Sequence, residues 1–217
     1  KSDIENIIKN VHNRHPLIHC ITNYVSINDC ANIVLACGGA PIMAEDINEV
    51  SQITSICQGL DINIGMLNDN KLSSMLKAGA TANELGIPVI LDPVGAGSSD
   101  YRIKAVQNLM SNVQFGVIRG NVSEIKAIAA KQGIHNIAAG VYETMQKDKS
   151  AMGVEAGVAD KITDDNIKEM ADFINKLSQK TGAVIAVTGG IDMVADENRV
   201  YAIRNGNKMM SLVTGAG

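Results

Sequence analysis

The chain has 217 residues, of which 46% are hydrophobic, so it can bury a substantial apolar core. A net charge of −4 and a pI of about 5.6 exclude the basic surface that binds a nucleic-acid backbone or an anionic membrane. Aromatic residues make up only 3% of the chain, which argues against base stacking. No apolar run approaches the roughly 18 residues that cross a bilayer, so we expect a cytoplasmic enzyme or binding protein without nucleic-acid or membrane partners.

The cysteines and histidines of the N-terminal quarter have neither the spacing of a redox pair nor that of paired zinc ligands. We expect the thiols to be reduced and mostly buried, and the histidines not to form a metal site with them. The residues concerned are Cys20, Cys30, Cys37, Cys57, His12, His15 and His19.

In chain order, the first predicted element is an amphipathic helix over residues 2–11, because apolar residues recur there every three or four positions. A short extended segment follows at 16–21. A second helix is predicted over 28–38, where a Gly pair ends it, and a short strand over 40–44. Residues 45–59 are predicted to form a third helix with apolar residues along one side.

Short apolar runs then alternate with helix-length amphipathic segments, which indicates a parallel sheet covered by helices on both faces. The fold class is therefore predicted to be α/β, with one domain spanning residues 1–217. The runs predicted as strands lie at 60–64, 89–91, 116–118 and 183–187, and a helix is predicted at 71–85.

The C-terminal third is less regular. Residues 133–162 are rich in Gly, Ala and polar residues and are predicted to be irregular at their start. A clear amphipathic helix is predicted over 163–181, with Thr163 as its cap. Two further strands are predicted at 199–204 and 208–212, separated by a hairpin turn at Asn205-Gly206-Asn207.

Polar residues follow the predicted strands where each one ends. In an open α/β sheet, ligands bind at the carboxyl ends of the strands, so we expect these residues to line one crevice. A guanidinium suits phosphate, and carboxylates suit Mg²⁺, which together predict a nucleotide and magnesium site. The residues are Gly65, Asp92, Arg119, Asn121, Thr188, Gly189, Gly215 and Gly217.

Each of these residues also has an ordinary structural interpretation. Asp92 precedes Pro93 and could only form a turn, and Arg119 could be a surface cation. Asn121 and Glu124 have the spacing of a helix-capping pair, with Asn121 at the N-cap. Their placement at the ends of successive strands favours the shared site.

The glycine patterns separate several nucleotide-binding classes. A P-loop motif is absent from the sequence, and the Gly95-Ala96-Gly97 segment lacks the third glycine of a dinucleotide-binding fingerprint. The terminal Gly215-Ala216-Gly217 could hold an anion with its backbone N–H groups, or could simply be a frayed end.

Six short segments resemble, in order, the motifs of the hydroxyethylthiazole kinase family, which belongs to the ribokinase-like superfamily. The 118–124 segment contains the Asn-x-x-Glu element of that superfamily. The likeness spans nearly the whole chain. The segments are 19–23 (HCITN), 40–44 (APIMA), 91–95 (LDPVG), 118–124 (IRGNVSE), 187–189 (VTG) and 214–217 (TGAG).

The resemblance implies a three-layer α/β sandwich that transfers the γ-phosphoryl group of ATP, with Mg²⁺, to the primary hydroxyl of 4-methyl-5-(2-hydroxyethyl)thiazole. This is a salvage step of thiamine biosynthesis. It also implies a homotrimer with the thiazole site between subunits.

The resemblance further assigns roles to individual residues. Met43, Asn23 and Gly215 are implied to contact the thiazole substrate. For ATP binding, it implies Arg119, Thr188, Asn121 and Gly189. Asp92 and Glu124 are implied to organise Mg²⁺, and Gly215, Ala216 and Gly217 to form the anion hole for the transferred group.

The sequence departs from the family pattern at two points. The family carries its general base, usually Cys and in related kinases Asp, just after the position of Gly217, where this chain stops. We therefore expect the natural protein to continue beyond residue 217. Gly190 stands where an acidic residue is expected after Thr188 and Gly189, which predicts altered water ordering near the metal or phosphates.

Two alternative functions remain open from the sequence. The first is a ribokinase-like kinase of another small alcohol, such as hydroxymethylpyrimidine or pyridoxal, although Met43 and the 19–23 segment favour thiazole. The second is a thiazole- or nucleotide-binding protein that does not catalyse phosphoryl transfer.

Overall fold

The computed structural model describes residues 2–131 and 161–212, where helices and strands alternate. The α-helices are α1 (Ser2–Arg14), α2 (Ile27–Ala36), α3 (Val50–Ser55), α4 (Asp69–Glu84), α5 (Asp100–Asn112), α6 (Val122–Lys131) and α7 (Ile167–Thr181). The strands are β1 (Leu17–Ile21), β2 (Ala40–Ile42), β3 (Gly59–Asn63), β4 (Val89–Asp92), β5 (Val117–Asn121), β6 (Val184–Thr188), β7 (Asp192–Ala195) and β8 (Val200–Ile203). Residues Lys208–Leu212 form a short 3-10 helix.

The chain divides into two compact units, residues 1–90 with 112–114 and residues 91–111 with 115–217. In the first unit, β1 pairs in parallel with β2 on one side and with β3 on the other. In the second unit, β5 and β6 are parallel, and β7 and β8 continue from β6 as antiparallel strands. Mostly parallel strands joined by helices confirm the predicted α/β class.

Each unit has an apolar core along its strands. In the first unit, Leu60 and Ile62 of β3 and Met75 of α4 are fully buried. In the second unit, Ile118 of β5 and Ile185 of β6 are fully buried. β6 is a continuous apolar run up to Thr188, as expected for a strand of a covered parallel sheet, whereas Asp61 interrupts β3 and Arg119 interrupts β5.

The ends of α4 illustrate how local sequence sets an element. Asn68 is extended at the N-cap, and its Oδ1 accepts the backbone N–H of Lys71 at 2.9 Å. Leu85 occupies the C-cap, and Gly86 follows in the left-handed region with φ +67°. A side chain rarely adopts that conformation, so the glycine ends the helix near its predicted position.

The predicted helix over 45–59 was wrong in most of its length. Only Val50–Ser55 is helical, and β3 already begins at Gly59. The preceding residues form a turn in which Asp46 Oδ1 accepts the backbone N–H of Asn48 at 2.8 Å. A short side chain that bonds its own backbone competes with helix formation, which explains the late start.

The predicted start of the C-terminal helix at Thr163 was also wrong. Asn166 is the N-cap of α7, and its Oδ1 accepts the backbone N–H of Thr163 at 2.8 Å. This bond closes a turn before the helix begins. The predicted irregular segment 133–162 lies outside the described residues, apart from its last two positions.

The predicted hairpin at Asn205–Asn207 was wrong. Residues 208–212 form a 3-10 helix, and the antiparallel partner of β8 is β7. The observed hairpin turns at Asp196, whose Oδ1 accepts the backbone N–H groups of Asn198 and Arg199 at 2.7 Å each. An Asp that bonds the backbone two residues on is a turn signal in its own right.

Candidate active site

The second unit places Asp92 and Arg119 side by side. Asp92 is the last residue of β4, and Arg119 is the central residue of β5. Arg119 Nη1 lies 3.7 Å from Asp92 Oδ2, and the two side chains are 33% and 20% exposed. A cation and a carboxylate that both remain partly open to solvent can meet a charged ligand.

Asn121 and Glu124 form a reciprocal capping pair where β5 passes into α6. Asn121 Oδ1 accepts the backbone N–H of Glu124 at 2.9 Å, and Glu124 Oε2 accepts the backbone N–H of Asn121 at 2.8 Å. The structure thus contains the capping arrangement that the Asn-x-x-Glu spacing predicts. Two orphan N–H groups at the start of α6 are satisfied by it.

Glu124 also fixes the loop that follows β4. Its second oxygen, Oε1, accepts the backbone N–H of Gly95 at 2.9 Å. The residue is only 6% exposed, and burial raises the pKa of its carboxyl group, while the Gly95 and Asn121 N–H groups and the Arg119 charge oppose that rise. Glu124 therefore ties the loop of Asp92 to the start of α6.

Gly120 makes this arrangement possible. A Cβ at Gly120 would lie 2.9 Å from Glu124 Oε2 and 3.4 Å from Pro93 Cγ. A distance under 3.0 Å is not compatible with a real Cβ contact. Residue 120 must therefore lack a side chain if the Glu124 carboxylate is to stay in place.

Thr188 and Gly189 lie at the carboxyl end of β6, next to the end of β5. Asn121 pairs with Thr188 in the parallel ladder, and Thr188 Oγ1 donates to the Gly120 carbonyl at 3.5 Å. Gly189 N donates to Asp192 Oδ1 at 2.9 Å. The sequence reasoning missed Asp192, whose side chain accepts a backbone N–H from three residues earlier in the chain.

Gly190, where an acidic residue was expected, has no atom within 4 Å of the position its Cβ would take. The nearby carboxylate is that of Asp192, which holds the turn through the Gly189 bond.

The second unit contains all six of the predicted ATP and metal residues, which are Asp92, Arg119, Asn121, Glu124, Thr188 and Gly189.

The first unit contains the predicted thiazole contacts Asn23 and Met43. Asn23 Nδ2 donates to Asn63 Oδ1 at 3.2 Å, and the same oxygen accepts the Gly65 N–H at 2.8 Å. Asn23 Oδ1 accepts the backbone N–H of Ser26 at 3.0 Å. The amide of Asn63, which sequence reasoning missed, thus joins the ends of β1 and β3.

Met43 follows β2 and is half-buried. The next carbonyl, that of Ala44, accepts His19 Nε2 at 2.8 Å, and His19 Nδ1 faces Thr54 Oγ1 at 2.8 Å. Because a carbonyl cannot donate, Nε2 carries the proton, and Nδ1 accepts from the Thr54 hydroxyl. Burial lowers the pKa of His19, so the ring is neutral and serves as a fixed bridge.

The predicted anion-hole residues Gly215, Ala216 and Gly217 lie outside the described residues. Their role therefore stays a prediction.

In the part of the chain that the structure describes, no helix is long and apolar enough to cross a membrane.

Asp92 and Glu124 are the carboxylates of the second unit that were predicted to organise Mg²⁺. Among residues 2–131 and 161–212, no three or more His, Cys, Asp or Glu side chains are grouped so as to hold a metal. Mg²⁺ in kinases is commonly held by one or two carboxylates together with substrate phosphates and waters. Asp92 fits that requirement, whereas both Glu124 oxygens already accept backbone N–H groups.

A sequence model of the hydroxyethylthiazole kinase family matches residues 8–217. The chain belongs to the hydroxyethylthiazole kinase family. This membership confirms the resemblance carried by the six motifs.

Among curated members of the hydroxyethylthiazole kinase family, a hydroxyethylthiazole kinase of Clostridium acetobutylicum is 53% identical over 97% of this chain and 71% of its own length. One from Methanobrevibacter smithii is 44% identical over 99% of this chain and 71% of its own length. The solved hydroxyethylthiazole kinase of Pyrococcus horikoshii OT3 is 31% identical, with a TM-score of 0.81, over 99% of this chain and 72% of that one. The α/β fold is thus shared with a solved hydroxyethylthiazole kinase.

Proposed function

We propose that this chain transfers the γ-phosphoryl group of ATP to the primary hydroxyl of 4-methyl-5-(2-hydroxyethyl)thiazole, with Mg²⁺ as cofactor. The observation that carries the proposal is the family match over residues 8–217, together with curated relatives named hydroxyethylthiazole kinase at 53% and 44% identity. The arrangement of Asp92, Arg119 and Glu124 supports it, because phosphoryl transfer depends mainly on positioning and on charge neutralisation.

In the proposed reaction, Arg119 binds the phosphates of ATP. Its guanidinium is partly exposed and lies beside a carboxylate at 3.7 Å, so it can exchange that partner for phosphate oxygens. Thr188 and Gly189 supply a hydroxyl and a backbone turn at the adjacent strand end, and Asn121 positions the start of α6.

Asp92 is the residue we propose as the direct carboxylate ligand of Mg²⁺, and Glu124 supports it by holding the loop at Gly95. When bound, Mg²⁺ would neutralise charge on the phosphates. Asn23 and Met43 are proposed to bind the thiazole ring, where a flexible, polarizable thioether suits a sulfur heterocycle. Backbone N–H groups of 215–217 are proposed to stabilise the transferring group.

We also propose that the protein acts as a cytoplasmic homotrimer, with the thiazole site at a subunit boundary. The first unit supports an assembly because it exposes large apolar side chains on and near α2, namely Val25, Ile33 and Leu35. Light scattering coupled to gel filtration tests the trimer, and a monomer at working concentration would contradict it.

The experiment that tests the function measures ATP consumption with the thiazole alcohol, hydroxymethylpyrimidine and pyridoxal as separate acceptors, with and without Mg²⁺. We expect turnover of the thiazole alcohol alone, and loss of turnover on chelation. Preferential phosphorylation of pyridoxal or the pyrimidine would replace the proposed substrate. Saturable thiazole binding without any ADP formation would replace the enzyme with a binding protein.

A further inference from the structure

Lys71 is a buried cation to which the proposed phosphoryl-transfer reaction assigns no role. It lies in the first turn of α4 and is only 4% exposed. A buried ammonium is stable only when it is paired and hydrogen-bonded. The partners of Lys71 therefore indicate which segments its ammonium group joins.

The Lys71 ammonium has partners on two segments that are distant in sequence. Nζ donates to the Thr22 carbonyl and lies 2.8 Å from Glu45 Oε2. The ring of Tyr24 lies over the same ammonium, with its centroid 4.3 Å from Nζ. The Tyr24 hydroxyl in turn donates to the Glu45 carboxylate.

These partners flank the two residues proposed to contact the thiazole. Asn23 lies between Thr22 and Tyr24, and Glu45 is two residues beyond Met43. One ammonium thus joins the segment of Asn23 to the segment of Met43. The neighbouring tether, from His19 to the Ala44 carbonyl, holds only the second segment to β1.

The carboxyl group of Glu45 is ionised where it bonds Lys71 and Tyr24. Burial works to raise the pKa of Glu45, but the bonds from Lys71 and Tyr24 outweigh it and leave that pKa below its ordinary value. Glu45 is therefore an anion at neutral pH. Charge-assisted bonds of this kind are stronger and geometrically stricter than neutral ones.

We infer that Lys71 is a positioning residue for substrate binding, which sets the spacing between the Asn23 and Met43 segments. The inference rests on the proposed function, since it takes these two residues as thiazole contacts. Lys71 does not touch substrate in this role. It acts through Thr22 and Glu45, and so affects binding of the alcohol and not of the nucleotide.

The test compares Lys71→Met with Lys77→Met. Lys77 lies on the same helix and donates Nζ to the Ile47 carbonyl at 2.8 Å, but it is exposed and holds no residue next to Asn23 or Met43. We expect Lys71→Met to raise KM for the thiazole alcohol by about tenfold or more, as for loss of a charge-assisted bond. KM for ATP should stay within about twofold of its original value. Lys77→Met should change neither KM by more than about twofold, which corresponds to less free energy than one hydrogen bond contributes.

Hydrogen exchange of peptides covering residues 22–26 and 43–45 gives a readout independent of activity. We expect faster exchange in Lys71→Met than in Lys77→Met. If Lys71→Met does not fold, Glu45→Gln takes its place, since it removes the charge and keeps an acceptor for Lys71. Equal rises in both KM values, or unchanged exchange in both segments, would overturn the positioning role while leaving the kinase function intact. Absence of thiazole phosphorylation by the unaltered protein would overturn the proposed function, and the role with it.

Discussion

Arg119 Nη1, in the middle of β5, lies 3.7 Å from Oδ2 of Asp92, the last residue of β4. The separation is longer than a direct hydrogen bond, so the pair is held mainly by charge. Both side chains are partly exposed, and an exposed pair contributes little to folding stability. We therefore expect the pair to add little to folding stability, which leaves both charges available for the phosphate and Mg²⁺ binding proposed above.

Arg119→Ala is expected to weaken ATP binding selectively. Loss of a charge-assisted bond to phosphate costs about 1.5–3 kcal/mol, which corresponds to a roughly ten- to hundred-fold rise in KM for ATP. KM for the thiazole alcohol should stay nearly constant. Steady-state kinetics with each substrate varied in turn measures the split.

Arg204→Ala is the matched control for this variant. Arg204 is also a cation in an ion pair, with Asp164, but both side chains are largely exposed and neither belongs to the proposed site. We expect no change in either KM. A similar loss of affinity for ATP and for the alcohol in Arg119→Ala would show that Arg119 does not act on phosphate.

Gly120→Ala is expected to disturb the Glu124 tether. The added Cβ would meet Glu124 Oε2 at 2.9 Å, and that oxygen cannot simply move away because it accepts the Asn121 N–H. Overpacking of this kind costs about 1–3 kcal/mol. Urea unfolding should detect the loss of stability, and turnover should fall because the loop of Asp92 loses its anchor at Gly95.

Gly190→Ala provides the comparison at the end of β6. No atom lies within 4 Å of the Cβ it would add, so we expect unchanged or slightly higher stability. Equal destabilisation by the two substitutions would contradict the argument that the Glu124 carboxylate needs Gly120.

The sequence could predict those site residues whose position follows from strand ends and local spacing. Asp92 and Arg119 belong to strands with clear apolar runs, and Asn121 and Glu124 are three residues apart, so their mutual bonds are local. Such features depend on neighbours in the chain, which the sequence displays directly.

Residues whose roles depend on distant partners could not be predicted in the same way. Lys71 bonds Thr22, which lies 49 positions away in the sequence, and Asn63 bonds Asn23 at a separation of 40. Nothing in the local pattern of α4 distinguishes Lys71 from an ordinary surface lysine. The hairpin at Asp196 was missed although its signal is local. The segment Asn205–Asn207 has a stronger turn sequence, so the hairpin was predicted there instead.

Folding stability is expected to decline as the pH falls below the ordinary His pKa of 6.5, because of His19. Burial lowers the pKa of His19 in the folded protein, so the unfolded chain takes up a proton that the native state does not. The contribution of neutral His19 to the free energy of unfolding is thus fully present above the pKa of His in the unfolded chain. Below that pKa the contribution is lost at up to about 1.4 kcal/mol per pH unit. Urea titrations between neutral pH and about pH 5.5 cover this window.

His19→Gln separates this effect from other titrating groups. A glutamine amide can still donate to the Ala44 carbonyl and accept from Thr54, but it does not titrate. We expect a shallower decline of stability with falling pH in the variant. The same slope in both proteins would mean that His19 is not the buried group responsible.

Cys20 is expected to resist alkylation in the folded protein, unlike Cys37. Burial, assisted by the charge of Asp61 and by Cys30 and Cys57, raises the pKa of the Cys20 thiol to about 12. At neutral pH this thiol is therefore almost entirely protonated, and the buried sulfur is also shielded from reagent. Cys37 is exposed. Brief iodoacetamide treatment followed by peptide mass spectrometry should therefore find Cys37 modified and Cys20 intact.

Denaturation in guanidinium chloride provides the control, because both thiols should then react at similar rates. Equal labelling in the folded state would contradict the buried placement of Cys20. The expected protection also bears on catalysis, since a thiol that stays protonated at neutral pH cannot accept the proton of the substrate hydroxyl. We therefore do not expect Cys20 to act as the general base of the proposed reaction.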